Sequence, residues 1–194
     1  MLLPVDIFFA DHYNGSMTDH IRDVLSSSIR GFRLPRYHEI PDVGLYLEQT
    51  TKYVNQCIRP LGFEDMTSSM IRNYVKQGLI ANPIKKQYFA DQIAHLIALA
   101  LLKQVTPLEH ISNLFLILNK GGSYTVPVAY DYFCEEMENI LYFRFCLKDS
   151  VEDVGVTSSL EKEMLRSAIT AVSHIVYLNR CFQIVAESTG ESMQ

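Results

Sequence analysis

The chain has 194 residues, 48% of them hydrophobic, enough for one sizeable core or two small ones sharing an interface. Its formal net charge is −5, which excludes a simple polycation for nucleic acid but leaves room for a basic patch on an acidic body. Eleven Tyr and ten Phe, with no Trp, supply ample aromatic surface to bury.

Residues 1–10 are apolar, but Asp6 interrupts them and no positive charge leads them, so no secretory signal is expected. The most apolar run elsewhere, residues 93–102, is about half the ~20 residues of a membrane span. A cytoplasmic protein with no membrane partner is the expectation. Cys57, Cys134, Cys146 and Cys181 form no Cys-x-x-Cys pair. On one helix over 128–147, Cys134 and Cys146 would stand roughly 18 Å apart at ~1.5 Å per residue, beyond the reach of a disulfide. Reduced, buried thiols are expected.

In chain order, His-Tyr-Asn-Gly-Ser at 12–16 signals a turn. Thr18 can cap a helix running to about Arg30, with Ile21, Val24, Leu25 and Ile29 on one face. Phe-Arg-Leu-Pro-Arg-Tyr-His-Glu-Ile-Pro, 32–41, carries two prolines that exclude a helix and predicts an extended strap laid on the core. Helical spacing returns over 42–59, with Leu45, Val54 and Ile58 apolar and Asp42 near the start, until Pro60. Thr67-Ser68-Ser69 offers N-caps for the next helix, and Gly78 is a natural stop. After the Pro83 loop, residues 91–103 are apolar nearly all round, which predicts a buried helix. Thr106-Pro107-Leu108-Glu109 reads as a capping box with Pro at the first helical position, opening a helix to about Asn119 that Gly121-Gly122 breaks.

Two long helical patterns follow, 127–148 and 158–187. The first carries Tyr132, Phe133, Ile140, Leu141, Phe143 and Phe145; the second carries Leu165, Ile169, Val172, Ile175, Val176 and Phe182. Strand-type alternation is nearly absent. The fold class is therefore all-α, a helical bundle with at most a tiny hairpin near 80–89. The expected organisation is an N-terminal helical extension at 1–31, a helical domain at 32–120, and a C-terminal helical region at 123–190.

Charge is distributed unevenly. From Thr67 to Ile111 there are five basic residues (Arg72, Lys76, Lys85, Lys86, Lys103) against Asp91 and Glu109, a net +3 that leaves −8 for the rest. At about 100° per residue, Ser69, Arg72, Asn73, Lys76 and Gln77 share one side of a helix, and Met70, Ile71, Tyr74 and Val75 the other. Cations and amides suit phosphates and base edges in a major groove. A polar outer side is equally what an ordinary surface helix shows. Four like charges close together without acidic neighbours are less usual for a plain solvated face.

The stretch SSMIRNYVKQGLIANPIKKQYFADQIAHLIALALLKQ, continued by TPLEHI to residue 111, resembles the winged-helix DNA-binding region of MerR-type transcription regulators. In that family a helix of pattern x-Ile/Leu-Arg-x-Tyr-x-x-x-Gly-Leu-Ile/Leu enters the major groove, and a basic wing with an aromatic follows. By this resemblance Arg72 and Tyr74 take the Arg-x-Tyr positions, Gly78-Leu79 the Gly-Leu, and Lys85, Lys86 and Tyr88 the wing. The wing is very short, since only Gln87 separates the lysines from Tyr88, and Ala90 stands where the family has a Ser cap. The whole of 32–119 is similar to an uncharacterised bacterial family, domain of unknown function 1836. It carries that family's Leu34-Pro35-Arg36 with Glu39-Ile40-Pro41, Leu45-Tyr46 with Gln49, and Asn73 to Ile80.

No catalytic constellation is visible. The histidines are 12, 20, 38, 95, 110 and 174, with no His-Glu-x-x-His. Glu135, Glu136 and Glu138 cluster, but the Glu-x-x-His of di-iron bundles is missing, as is Gly-x-Ser-x-Gly. His95, inside an apolar helix, reads as a hydrogen-bonded core residue. Neither catalytic residues, nor metal ligands, nor a cofactor are expected.

The expected function is a transcription regulator that binds duplex DNA as a homodimer. Ser69, Arg72, Asn73 and Lys76 would face the groove, and Lys85, Lys86 and Tyr88 would form the wing. The acidic helices after 123, with five basic and eleven acidic residues, would dimerise or bind a small-molecule effector. The alternative is a non-enzymatic helical module whose basic face docks an acidic partner.

Overall fold

The computed structural model describes residues 15–120, 125–152, 154 and 159–189. Among them are seven α-helices: α1 (Gly15–Ile29), α2 (Leu47–Ile58), α3 (Ser68–Lys76), α4 (Ala90–Leu102), α5 (Leu108–Lys120), α6 (Val126–Arg144) and α7 (Leu160–Thr189). Two short strands, β1 (Leu45–Tyr46) and β2 (Gln87–Tyr88), pair antiparallel. The fold is all-α, as the near absence of alternation implies. Gly121-Gly122 and most of the turn signal at 12–16 lie outside the described residues. No helix among the described residues is long and apolar enough to cross a membrane.

α4 forms the hub. Ile93, Leu96, Ile97, Leu99, Leu101 and Leu102 are all fully buried, because α4 packs on α2, α6 and α7 and leaves little of itself to solvent. One continuous apolar cluster extends from Leu25 in α1 to Val176 in α7. The three segments expected from composition therefore share a core.

Boundaries differ from expectation at α1, α2 and α6. α1 already begins at Gly15, so Thr18 lies within the helix rather than capping it. α2 starts at Leu47 rather than near Asp42, because Leu45 and Tyr46 pair with Tyr88 and Gln87 before the helix begins. Gln49 Oε1 then accepts the Tyr46 N–H at 2.9 Å. α6 stops at Arg144 rather than at about 148. There the Cys146 N–H meets Phe143 O at 3.1 Å and the Leu147 N–H meets Tyr142 O at 2.8 Å, the paired bonds of a Schellman stop. Cys146 occupies the left-handed position, φ 58°, that glycine usually fills. It is exposed, against the expectation of burial, while Cys134 is buried and Cys57 and Cys181 are half-buried. All four thiols are free, and burial pushes those of Cys57 and Cys134 up to about 12, which makes them poor nucleophiles.

The strap over 32–41 is extended apart from one 3-10 turn, Tyr37–Glu39, between its prolines. It is bolted to α6. The Arg36 guanidinium grips Glu138 with two parallel bonds, 2.6 and 2.7 Å, and the Leu34 N–H adds a third at 2.9 Å. A planar fork on a carboxylate is the strongest of the ordinary ion-pair geometries. The Tyr37 N–H reaches Asp131 at 2.6 Å, and its hydroxyl donates to Asp91 on α4 at 2.7 Å. Tyr142 on α6 donates to Phe32 O at 2.6 Å.

Candidate nucleic-acid interface

α2 and α3 are joined by the segment 59–67, whose position is fixed from inside. Asn55, 5% exposed on α2, donates to Met66 O at 2.9 Å and accepts from Met66 N at 2.8 Å. Both polar ends of a buried amide are thus satisfied by the backbone of one residue, Met66, which sets where the chain re-enters a helix. Thr51 and Ser68 hydroxyls meet at 3.0 Å, and Arg59 pairs with Asp65 across the turn. Thr67 caps α3 by accepting the Met70 N–H at 3.2 Å, as the cap-rich sequence implies.

α3 is short and two-faced. Ile71 and Tyr74 are buried, Met70 and Val75 half-buried, and Ser69, Arg72, Asn73, Lys76 and Gln77 exposed. Tyr74 anchors the helix. Burial raises its phenol pKa. The helix ends in a Schellman stop: the Gly78 N–H bonds Val75 O at 3.0 Å, the Leu79 N–H bonds Tyr74 O at 3.0 Å, and Gly78 sits at φ 75°.

The basic loop after α3 is a tight hairpin. Ile84 and Gln87 exchange both backbone hydrogen bonds, each 2.9 Å, leaving Lys85 and Lys86 as the two central residues of the turn. Both lysines have positive φ, 49° and 67°. That is the two-residue type I′ turn, whose central positions favour Asn and Gly because L side chains are strained there. Ile84, Lys85 and Lys86 are exposed. β2 continues from the turn and pairs with β1, and Gln87 donates to Gly44 O at 3.1 Å. A Cβ on Gly44 would stand 2.8 Å from Gln87 Cβ and 2.9 Å from a Phe89 ring carbon, so this close approach requires glycine. Buried Gln92, near the start of α4, holds the other flank. It donates to Ala81 O and Asn82 O at 3.0 and 2.9 Å and accepts the Phe89 N–H at 2.8 Å.

The expected site residues therefore separate. Ser69, Arg72, Asn73, Lys76, Lys85 and Lys86 are exposed. Tyr88 is only 4% exposed, facing the core opposite Leu45, and so offers no ring to a ligand. In a strand, neighbours point to opposite faces, and it is Gln87 that points outward enough to reach Gly44. Burial raises the Tyr88 pKa and the Arg72 charge works against it. Arg72, Lys76, Lys85 and Lys86 take part in none of the ion pairs among the described residues. Arg33, Arg36, Arg59 and Arg166, by contrast, are each held by a carboxylate.

Elsewhere the acidic cluster on α6 is structural. Glu138 holds Arg36, and Glu136, fully buried, is 2.8 Å from Arg166 Nε on α7. His95 is half-buried, its Nδ1 2.7 Å from Asp91 O and its ring edge-on to Phe115 at 5.0 Å. It lines a cavity of about 50 Å³ with Phe115, Tyr130 and Phe133 among others. That space suits a few waters rather than a ligand of ordinary size, which needs about 300 Å³ or more.

Asn55, Gly44 and Gln92 position this face without belonging to its surface, and no spacing rule singles them out in the sequence. Residues 35–133 match the family described as a domain of unknown function (DUF1836), a span that begins in the strap, takes in α2 to α5 and the hairpin, and ends within α6. No curated protein and no solved structure matches the chain. With half of its length in that match, the chain belongs to the DUF1836 family.

Proposed function

We propose that this protein is a DNA-binding transcription regulator, with α2 and α3 acting as a helix-turn-helix and the Ile84–Gln87 hairpin as a very short wing of the MerR type. α3 enters the major groove with Arg72, Asn73 and Lys76 toward base edges and Ser69 toward the backbone. Lys85 and Lys86 hold flanking phosphates. Tyr88 acts as a core anchor of the wing and not as a contact.

The observation that carries this reading is the set of four exposed cations on α3 and the hairpin with no carboxylate partner among the described residues. Arg33 and Arg59, by contrast, are each paired with a carboxylate, while Arg30 and Lys52 stand unpaired singly; on α3 and the hairpin four such cations stand close together. Four cations neutralise about four phosphates, which gives weak and salt-sensitive binding, so the active species is a dimer presenting about eight.

Fluorescence anisotropy of the purified protein on random duplex DNA, across a salt series, tests this beside Arg72→Ala/Lys76→Ala. Binding that weakens with salt, with a shallower slope in the variant, is expected. A folded protein that binds no duplex even at low salt would overturn the reading and favour an acidic protein partner for the same face.

A further inference from the structure

The outer side of the small sheet is apolar where solvent-facing strands are usually polar. Leu45 and Tyr88 face each other across β1 and β2 on the core side, so Tyr46 and Gln87, the next pair in register, lie on the outer side. Ile84 is the partner of Gln87 across the turn, which extends the row to three: Tyr46, Gln87 and Ile84. Tyr46 is 56% exposed and Ile84 62%. Val43, 65% exposed, stands at the flank, next to the Gly44 carbonyl that the Gln87 amide holds. Three of the four most exposed large apolar side chains among the described residues thus gather at one hairpin. Single exposed apolar residues are ordinary, whereas a gathered set marks a contact surface.

The neighbours of this row indicate what covers it. One end is the turn that carries Lys85 and Lys86. At the other end Tyr46 leads directly into α2, whose Thr51 hydroxyl meets Ser68 at the start of α3 at 3.0 Å. The row therefore joins the two elements that carry the exposed cations. Apolar groups beside cations match the sugar–phosphate backbone of DNA, with phosphates for the lysines and deoxyribose rings for Ile84 and the Tyr46 ring. The Tyr46 hydroxyl has no hydrogen-bond partner among the described residues and can donate to one further phosphate. Asp42 and Glu48, exposed on either side of this strand, repel phosphate and set the limit of the contact at Tyr46.

We infer, resting on the DNA reading above, that Tyr46 is a further contact to the duplex backbone, its ring against the sugars and its hydroxyl on a phosphate beside those that Lys85 and Lys86 hold.

The chain has no Trp, so Tyr46→Trp carries a single indole whose emission reports this position alone. Random duplex DNA is titrated into it at low salt, with anisotropy of labelled duplex recording binding in parallel, and Leu160→Trp at the start of α7 serves as the reference. Indole emission should change on binding in Tyr46→Trp and stay constant in Leu160→Trp. Tyr46→Phe keeps the ring and loses only the exposed hydroxyl. It should bind about fivefold more weakly than wild type with an unchanged salt slope, because no charge is removed. Duplex bound by Tyr46→Trp with no change in emission, or by Tyr46→Phe with wild-type affinity, overturns the assignment and leaves the DNA reading standing. No duplex bound by the folded wild type overturns both.

Discussion

Replacing the hairpin tip by the residues its geometry favours, Lys85→Asn/Lys86→Gly, should stabilise the fold while weakening its hold on DNA. Both lysines sit in the left-handed region, at φ 49° and 67°. A non-glycine residue there costs about 1 kcal/mol, and Asn tolerates it better than Lys. Glycine at 86 removes the strain but loosens the unfolded chain by about 0.4–1 kcal/mol, so the net gain is about 1 kcal/mol. In a chain of this length that raises Tm by about 2–4 °C. The same change removes two cations per protomer and about four phosphate contacts per dimer. Between 50 and 200 mM salt, about eight contacts imply a loss of about 10⁴ in affinity and four a loss of about 10². Calorimetry and a salt series of anisotropy titrations read the two effects on the same samples. A variant no more stable than wild type would refute the strain argument. A stabler variant with the wild-type salt slope would show that the lysines do not touch DNA, leaving their strained positions without a purpose.

Other substitutions probe the scaffold beneath this face. Asn55→Ala strands the Met66 peptide in the interior and should cost about 1–3 kcal/mol, read as a lower urea midpoint with unchanged m. Gly44→Ala forces its new methyl against Gln87 and Phe89 and should cost about 1–3 kcal/mol, and on the proposed reading it weakens duplex binding with the hairpin, while Gly78→Ala, strained only at its own φ, leaves the hairpin in place. Cys146→Gly relieves the left-handed stop of α6 and should raise Tm by a degree or more without altering DNA binding, which thermal melts and anisotropy check.

The parts of this face that repeat along one helix were legible in the sequence. α3 shows its two faces through the 3.6-residue period, and Gly78 marks its end because a left-handed stop favours glycine. The burial of α4 follows from its unbroken apolar composition. The parts fixed by partners distant in sequence were not legible. β1 and β2 have two residues each, too few for alternation to show, and the pairing joins 45–46 to 87–88. Tyr88 could therefore be mistaken for a wing contact. The hairpin hid its type because Lys-Lys stands where the rule looks for Asn-Gly. Asn55 and Gln92 act on backbone groups about three helical turns away in sequence, and nothing in their own neighbourhoods announces it. Arg36 meets its carboxylate 102 residues on.

That last pair ties the strap to α6. A two-fold protein reads two half-sites only if the separation of its recognition helices is held fixed. From α7 to α3 the packing runs through α6 and α4, both of which pack on α7, and then from α4 to α2, which packs on α3. Polar joins run beside this packing: in the strap Arg36 and Leu34 bind Glu138, Tyr37 binds Asp131 and Asp91, and Tyr142 binds Phe32, while Arg166 on α7 pairs with Glu136 on α6 and Arg180 on α7 donates to Pro60 O at 3.0 Å. Arg36 and Glu138 side chains are only 17% and 13% exposed, so salt screens them little, whereas the four cations on α3 and the hairpin are open to it. A bidentate ion pair adds a fixed geometry to the close packing of the helices. The family match begins at Pro35 in the strap and ends at Phe133 in α6. The strap is then one of the polar ties that fix the α2–α3 face relative to α6 and α7, on top of the apolar core they already share.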